Sequence, residues 1–165
     1  MKRIAHLFSI VAVGCLLFMS TSISAQTSVN GKDCIGIWKT VDDETNRTKS
    51  HVEIYKKGDK YYAKIIKLLD EQTLKDSGEK RFEDIKCTKC PADRGLNKPL
   101  YGLEMVWDME KASDKWKGGS IMDPKKGKVY TCTMWMDDSD SSGDQLSVRG
   151  WVGFFYRTQT WYRVK

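Results

Sequence analysis

SHVEIYKKGDKYYAKIIKLL, residues Ser50 to Leu69, is the stretch that decides the fold. Val52 and Ile54 alternate with His51, Glu53 and Tyr55, a period of two that sends apolar and polar side chains to opposite faces of a strand. Lys60 to Leu69 runs on in β-forming residues, with Tyr61, Tyr62, Ile65 and Ile66 among them. Between the two lies Gly58-Asp59, a two-residue turn in which glycine supplies the φ sign that the primed hairpin turns require. The stretch therefore predicts two antiparallel strands joined end to end, the unit of a meander.

Working outward, Cys34 to Thr40 is a further short apolar strand. Beyond a long segment from Asp70 to Pro99 come Tyr101 to Met109, Trp116 to Asp123, Lys128 to Asp137, Gln145 to Gly153 and Tyr156 to Val164. Turn-forming residues separate the later ones at Ala112-Ser113-Asp114, Pro124 to Gly127 and Ser139 to Asp144. No convincing amphipathic helix interrupts them. The expected fold is all-β, an eight-stranded antiparallel up-and-down barrel with a long cysteine-containing loop around residues 70–99. Closure removes the unpaired edges a meander would otherwise offer. A barrel of eight strands is just wide enough to be filled by side chains or to hold one small ligand, and the functional reading turns on which.

The compartment decides what cysteine is for. Lys2 and Arg3 precede an apolar run from Leu7 to Met19, and Ser20 to Ser24 lead to Ala25-Gln26, the pattern of a secretory signal removed after Ala25. A core of about 13 residues is short of the roughly 20 that span a bilayer. Gly14-Cys15 is the dipeptide of a lipoprotein signal, but Leu16, Leu17 and Phe18 keep the segment apolar where a lipidated chain turns polar. The expected product is an exported protein, periplasmic or extracellular, with residues 26–165 as one domain and no stable membrane span. Loss of Lys2 and Arg3 takes Lys plus Arg from 28 to 26, against 22 Asp plus Glu. These positive charges are spread among acids rather than gathered in a stripe, so no nucleic-acid partner is expected.

Four cysteines remain after the leader. Cys87 and Cys90 form a close pair, whereas Cys34 and Cys132 stand alone on separate predicted strands, so the two close pairs of a typical zinc site are missing. Pro91 and a polar loop follow Cys90 where a thioredoxin-type motif opens a helix. In an oxidising compartment the expectation is a local Cys87–Cys90 disulfide that tightens the long loop. Cys34 and Cys132, on the first and sixth strands, are either bridged through the barrel or buried as free thiols. Asp138, Asp140, Ser142 and Gly143 match the opening of a calcium loop, but its twelfth position is Arg149 instead of glutamate and flanking helices are absent. Neither metal nor cofactor is expected.

Catalysis through a nucleophile and base would have to use His51, which lies opposite the Val52 and Ile54 face. No catalytic residue is assigned, and fold alone does not supply one. The more informative constellation is on the last hairpin. Arg157, Gln159, Trp161 and Arg163 share one face of the last strand, and Arg149 and Trp151 share one face of the strand before it. Pointed inward, they would line a small-ligand pocket with polar groups and indole rings, with Glu104, Asp123 or an anionic ligand as partner for a buried arginine and Trp107 as a further wall; otherwise Trp161 fills the core and the arginines lie along the barrel wall with their heads in water. Arg149, Trp151, Gln159, Trp161, Glu104 and Trp107 are accordingly the candidate ligand-binding residues.

Gly36-Ile37-Trp38 resembles the Gly-x-Trp signature of lipocalins and their calycin relatives. In that signature the tryptophan plugs one barrel end beneath an arginine of the last strand, which implies structural roles for Trp38 and Arg163, or Arg157. GIWKTVDDETNRTKSHVEIYKK (36–57), GGSIMDPKKGKVYTC (118–132), LSVRGWVG (146–153) and RTQTWYRV (157–164) are similar to a bacterial family of exported proteins of unknown function, DUF2147. The resemblance implies a calycin-like barrel and an export signal, and it carries over no catalytic residues. Two functions remain: an exported barrel that binds an unknown small molecule, or a non-enzymatic module with a side-chain-filled barrel that docks an envelope protein.

Overall fold

The computed structural model describes residues 33–165; the leader expected over residues 1–25 lies outside the described residues. Eight strands are present, β1 (Gly36–Val41), β2 (Thr48–Lys57), β3 (Lys60–Leu68), β4 (Glu104–Ala112), β5 (Lys115–Asp123), β6 (Lys128–Met136), β7 (Gln145–Val152) and β8 (Phe155–Arg163). They close into one antiparallel barrel in chain order. The expected architecture is the observed one, and Gly58-Asp59 makes the two-residue turn between β2 and β3, with Gly58 at φ 62°. The segment between β3 and β4 adds a seven-residue helix, α1 (Glu71–Ser77), and two 3-10 turns, Phe82–Asp84 and Ala92–Arg94. None of the α1 residues is fully buried, so the helix leaves no apolar periodicity to read.

Alternation along the strands builds the interior. Val52 and Ile54 from β2, Tyr61, Ala63 and Ile65 from β3, Trp116 from β5, Met134 from β6, Leu146 and Val148 from β7 and Trp161 from β8 all pack inside. Trp38, Trp116 and Trp161 are the largest of the fully buried side chains.

A second core lies outside the barrel wall, where the segment between β3 and β4 folds back as a strap. Ile85, Cys87, Cys90, Leu100 and Leu103 of the strap cover Trp107 of β4 and Met122 of β5. Cys87 and Cys90 are disulfide-bonded with Cα atoms 5.5 Å apart, and the bond lies within this outer core. Lys86 and Pro99 bridge across the strap, and the N–H groups of Cys87 and Leu100 donate to Lys98 and Ile85 carbonyls at 2.9 and 2.8 Å. The strap thus carries its own backbone bonding rather than lying loose on the surface.

Asp70 anchors the strap where it leaves β3. Its carboxylate, nearly inaccessible, accepts from Lys49 Nζ at 2.5 Å and Thr73 Oγ1 at 2.8 Å, and Arg47 Nε stands at 3.1 Å.

Candidate functional site

One end of the barrel is sealed. Trp38 Nε1 donates to the Cys34 carbonyl at 2.7 Å, and the Arg163 guanidinium lies 4.3 Å from the Trp38 ring. Arg163 also donates to the carbonyls of Gly143, Ile35 and Asp33 at 3.1, 3.0 and 2.7 Å, tying the chain's entrance and the β6–β7 turn to its last strand. Gly36 makes room for this arginine, since a Cβ there would stand 2.9 Å from its Nη1, and its φ of 137° disfavours other residues. Arg157 instead binds Asp43 and Glu44 of the β1–β2 turn, at the opposite end.

Toward that opposite end the inward-facing side chains are less buried than the closed layer beneath them, and we call this level the cup. Its floor is Trp161, fully buried, whose Nε1 points to Gln159 Oε1 at 3.5 Å. Gln159, Tyr130, Ile121 and Met105 are only half-buried. Ile121 and Met105 pack against the interior cluster, and Tyr130 and Ile121 stand opposite each other in the β5–β6 register. A Cβ at Gly150 would approach the Tyr130 Cβ at 3.3 Å and the Ile121 Cγ2 at 3.6 Å, so the absence of a side chain on β7 makes room for the Tyr130 ring and Ile121 at this level. Thr40 and Ser50 share a 2.8 Å hydrogen bond on the β1–β2 side, which satisfies two buried hydroxyls. Ile121, Tyr130 and Met105 were not among the sequence candidates. The alternation of β5 and β6 puts Ile121 and Tyr130 on one face, but nothing local marks that face as the mouth.

The six sequence candidates do not converge on one pocket. Gln159 and Trp161 face the interior. Arg149 and Trp151 face outward: Arg149 pairs with Thr133 and Thr158, its Nε donates to Thr158 Oγ1 at 2.7 Å, and its guanidinium lies over Tyr156, Trp135 and Trp151 at 4.1, 4.9 and 5.4 Å. The inward positions of β7 belong to the apolar Leu146 and Val148, because a charged group without a partner is costly inside. Arg149 therefore needs no carboxylate from Glu104, which sits on the far wall and accepts from Tyr55 Oη at 2.9 Å. Burial and that bond push the Tyr55 phenol up to about 12.

Trp107 also faces outward, under the strap, with Arg94 stacked on its ring at 4.3 Å. Simple alternation would set it on the Met109 side, which is interior. Asp108 takes a left-handed φ of 58°, and the β3–β4 register slips there, so strand parity resets between Trp107 and Met109. Gly119 permits the bulge, because a Cβ on it would meet the Trp107 carbonyl oxygen at 2.3 Å. Glu104 lines a surface cleft of about 370 Å³ together with Arg94, Lys98 and Leu103 of the strap.

Other singled-out groups have ordinary surroundings. His51 lies between Lys39 and Lys67, and burial first and then those two charges lower its pKa. Cys34 and Cys132 are both buried free thiols; burial pushes Cys132 up to about 12 and moves Cys34 in the same direction. In the acidic β6–β7 turn, Asp137 and Asp140 accept from the hydroxyls of Ser139 and Ser142 at 2.6 Å each, so their oxygens are used within the turn. Among the described residues no group of three metal-ligating side chains occurs, and no helix is long and apolar enough to cross a membrane.

Residues 36–163 match the model of a family, DUF2147, described as an uncharacterized protein conserved in bacteria. No curated protein is significantly similar to the chain. A solved structure, protein HP1028 of Helicobacter pylori, described as belonging to the lipocalin family, superposes with a TM-score of 0.61 at 21% identity, over 81% of this chain and 84% of that one. The likeness is one of fold.

Proposed function

This chain belongs to the DUF2147 family, and from that premise we propose that it is an exported, lipocalin-like protein that binds one small, largely apolar molecule in the cup above Trp161. The single observation that supports this reading is the half-buried set Met105, Ile121, Tyr130 and Gln159 above a sealed floor. Such side chains give an apolar body a place to bury surface, while the Gln159 amide and the Tyr130 phenol offer it a polar anchor. Export is supported by the leader sequence and by a disulfide that an oxidising compartment maintains. Arg149, Trp151, Glu104 and Trp107 take no part in the cup.

A medium-chain fatty acid tests the reading, because it combines an apolar body with one polar head. Titration is expected to change tryptophan fluorescence saturably at one molecule per protein. Gly150→Leu, which crowds Tyr130 and Ile121, is expected to remove that change while circular dichroism stays unchanged, and Gln159→Leu to weaken it. A flat titration, or equal binding by Gly150→Leu, would refute the proposal.

One observation favours a second reading, a non-enzymatic envelope interaction module. Trp38, Trp116 and Trp161 fill the barrel below the cup, and large apolar side chains stand instead on the outer surface. Recovery of one envelope protein by cross-linking, with no response to any apolar ligand, would select it.

A further inference from the structure

The β7–β8 turn carries the most exposed apolar group in the described chain. Phe154 is 98% exposed, Phe155 81%, Tyr156 58% and Val152 56%, on or beside the two-residue turn Gly153-Phe154 at the cup end. Isolated exposed apolar residues are ordinary, but four within five positions at one turn are not. The turn has a basic neighbour. Thr131 stands opposite Trp151 in the β6–β7 register, so Val129 is level with the turn and Lys128 is beside it. Lys125 and Lys126 share the adjacent β5–β6 turn, and all three lysines are exposed. Among the described residues none of the three lies within ion-pairing distance of a carboxylate. The Asp123 side chain beside them accepts instead from the N–H groups of Lys125 and Lys126, at 2.9 and 3.2 Å. Behind the tip, Trp151 and Tyr156 pack ring to ring at 4.8 Å, with Arg149 over both.

We infer that this end of the barrel docks on an anionic lipid surface. Phe154 and Phe155 enter the acyl boundary, Trp151 and Tyr156 lie at headgroup level, and Lys125, Lys126 and Lys128 face the lipid phosphates. The layering follows the chemistry of a bilayer interface, where phenylalanine partitions inward, tryptophan and tyrosine stay at the boundary and lysine pairs with anionic headgroups. An apolar tip with unpaired lysines suits a soft anionic plane. Arg157, alone among the basic groups of this hairpin in having carboxylate partners, turns away toward Asp43 and Glu44. The cup opens on the same end, so a protein seated this way presents it to the lipid, although docking requires no ligand in the cup.

Co-sedimentation of the purified protein with vesicles of phosphatidylglycerol and phosphatidylethanolamine tests the inference. Binding to these vesicles, little binding to phosphatidylcholine vesicles and a weakening with added salt are the expected results. Phe154→Ser with Phe155→Ser is expected to lower the bound fraction at least about tenfold, the effect of removing two phenyl groups from an apolar phase. Lys125→Glu with Lys126→Glu should abolish the preference for anionic lipid. Both pairs are exposed, so unchanged circular dichroism shows that folding is intact. Equal binding by the phenylalanine variant, indifference to lipid charge, or a Phe154-dependent dimer in the absence of vesicles would overturn it. The fatty-acid titration is done without vesicles, so docking and the cup stand or fall separately.

Discussion

Replacing Asp70 by asparagine should cost this protein about 2 kcal/mol at neutral pH, and the cost should vanish in acid. Burial alone would raise the Asp70 carboxyl, but hydrogen bonds from Lys49 and Thr73, with the charges of Lys49 and Arg47, outweigh it and hold the group at about 2 against an ordinary 3.8. At about 1.4 kcal/mol per pH unit, this displacement corresponds to about 2.4 kcal/mol of linked stability. Lys49 and Arg47 are partly exposed and return to water when the carboxylate goes, so little is added by leaving them unpaired. Because the folded value lies below the unfolded one, the contribution is complete above about pH 4 and is lost as pH falls toward 2. Urea unfolding of the wild type and Asp70→Asn at pH 7, 5, 4 and 2.5 measures it, as a gap that opens with pH. A gap below about 0.5 kcal/mol at pH 7, or one that stays constant down to pH 2.5, would show that the carboxylate does not hold the strap as described.

Trp161→Ala should cost about 3–5 kcal/mol, because the ring is fully buried and its loss leaves a cavity beneath the cup; chemical denaturation reads this directly. The Cys87–Cys90 disulfide closes no long loop, so its reduction should lower global stability by no more than about 2 kcal/mol, while amide exchange between residues 82 and 103 quickens more than in the barrel. Cys34 and Cys132, buried and with raised pKa values, should resist a thiol reagent at pH 7 until the protein unfolds, and then react together.

The barrel was legible because its signals are local. Gly58-Asp59 names a turn, and Val52 and Ile54 name a face, without knowledge of anything distant. The site was less legible for two separate reasons. Each of β7 and β8 carries its tryptophan and arginine on one face only, and period two sorts Arg149 with Trp151 and Gln159 with Trp161 without saying that the first pair faces out and the second in. On β4 the sorting itself fails at Asp108, where one left-handed residue moves Trp107 from the expected wall to the outer core. The Asp70 anchor reaches Lys49, 21 residues back, and depends on how β2 and β3 pair, which no window around Asp70 contains. Cys87 and Cys90 were readable for the opposite reason, since a spacing of three positions lies within one local window.

Every strand but one pair is joined to its neighbour by a turn or by the strap; β1 and β8 alone meet from opposite ends of the chain. They are held by the pairs Trp38–Arg163, Lys39–Tyr162 and Thr40–Trp161 and by the Val164 N–H on the Ile37 carbonyl at 2.9 Å, whereas β7 and β8 pair along their whole length. This seam has the fewest paired residues of any in the barrel, and Arg163 is its clasp, reaching from β8 to the carbonyls of Asp33 and Ile35 just ahead of β1. A protein opened there would expose two bare strand edges to other molecules, so the guanidinium that plugs one end also guards against mispairing between copies.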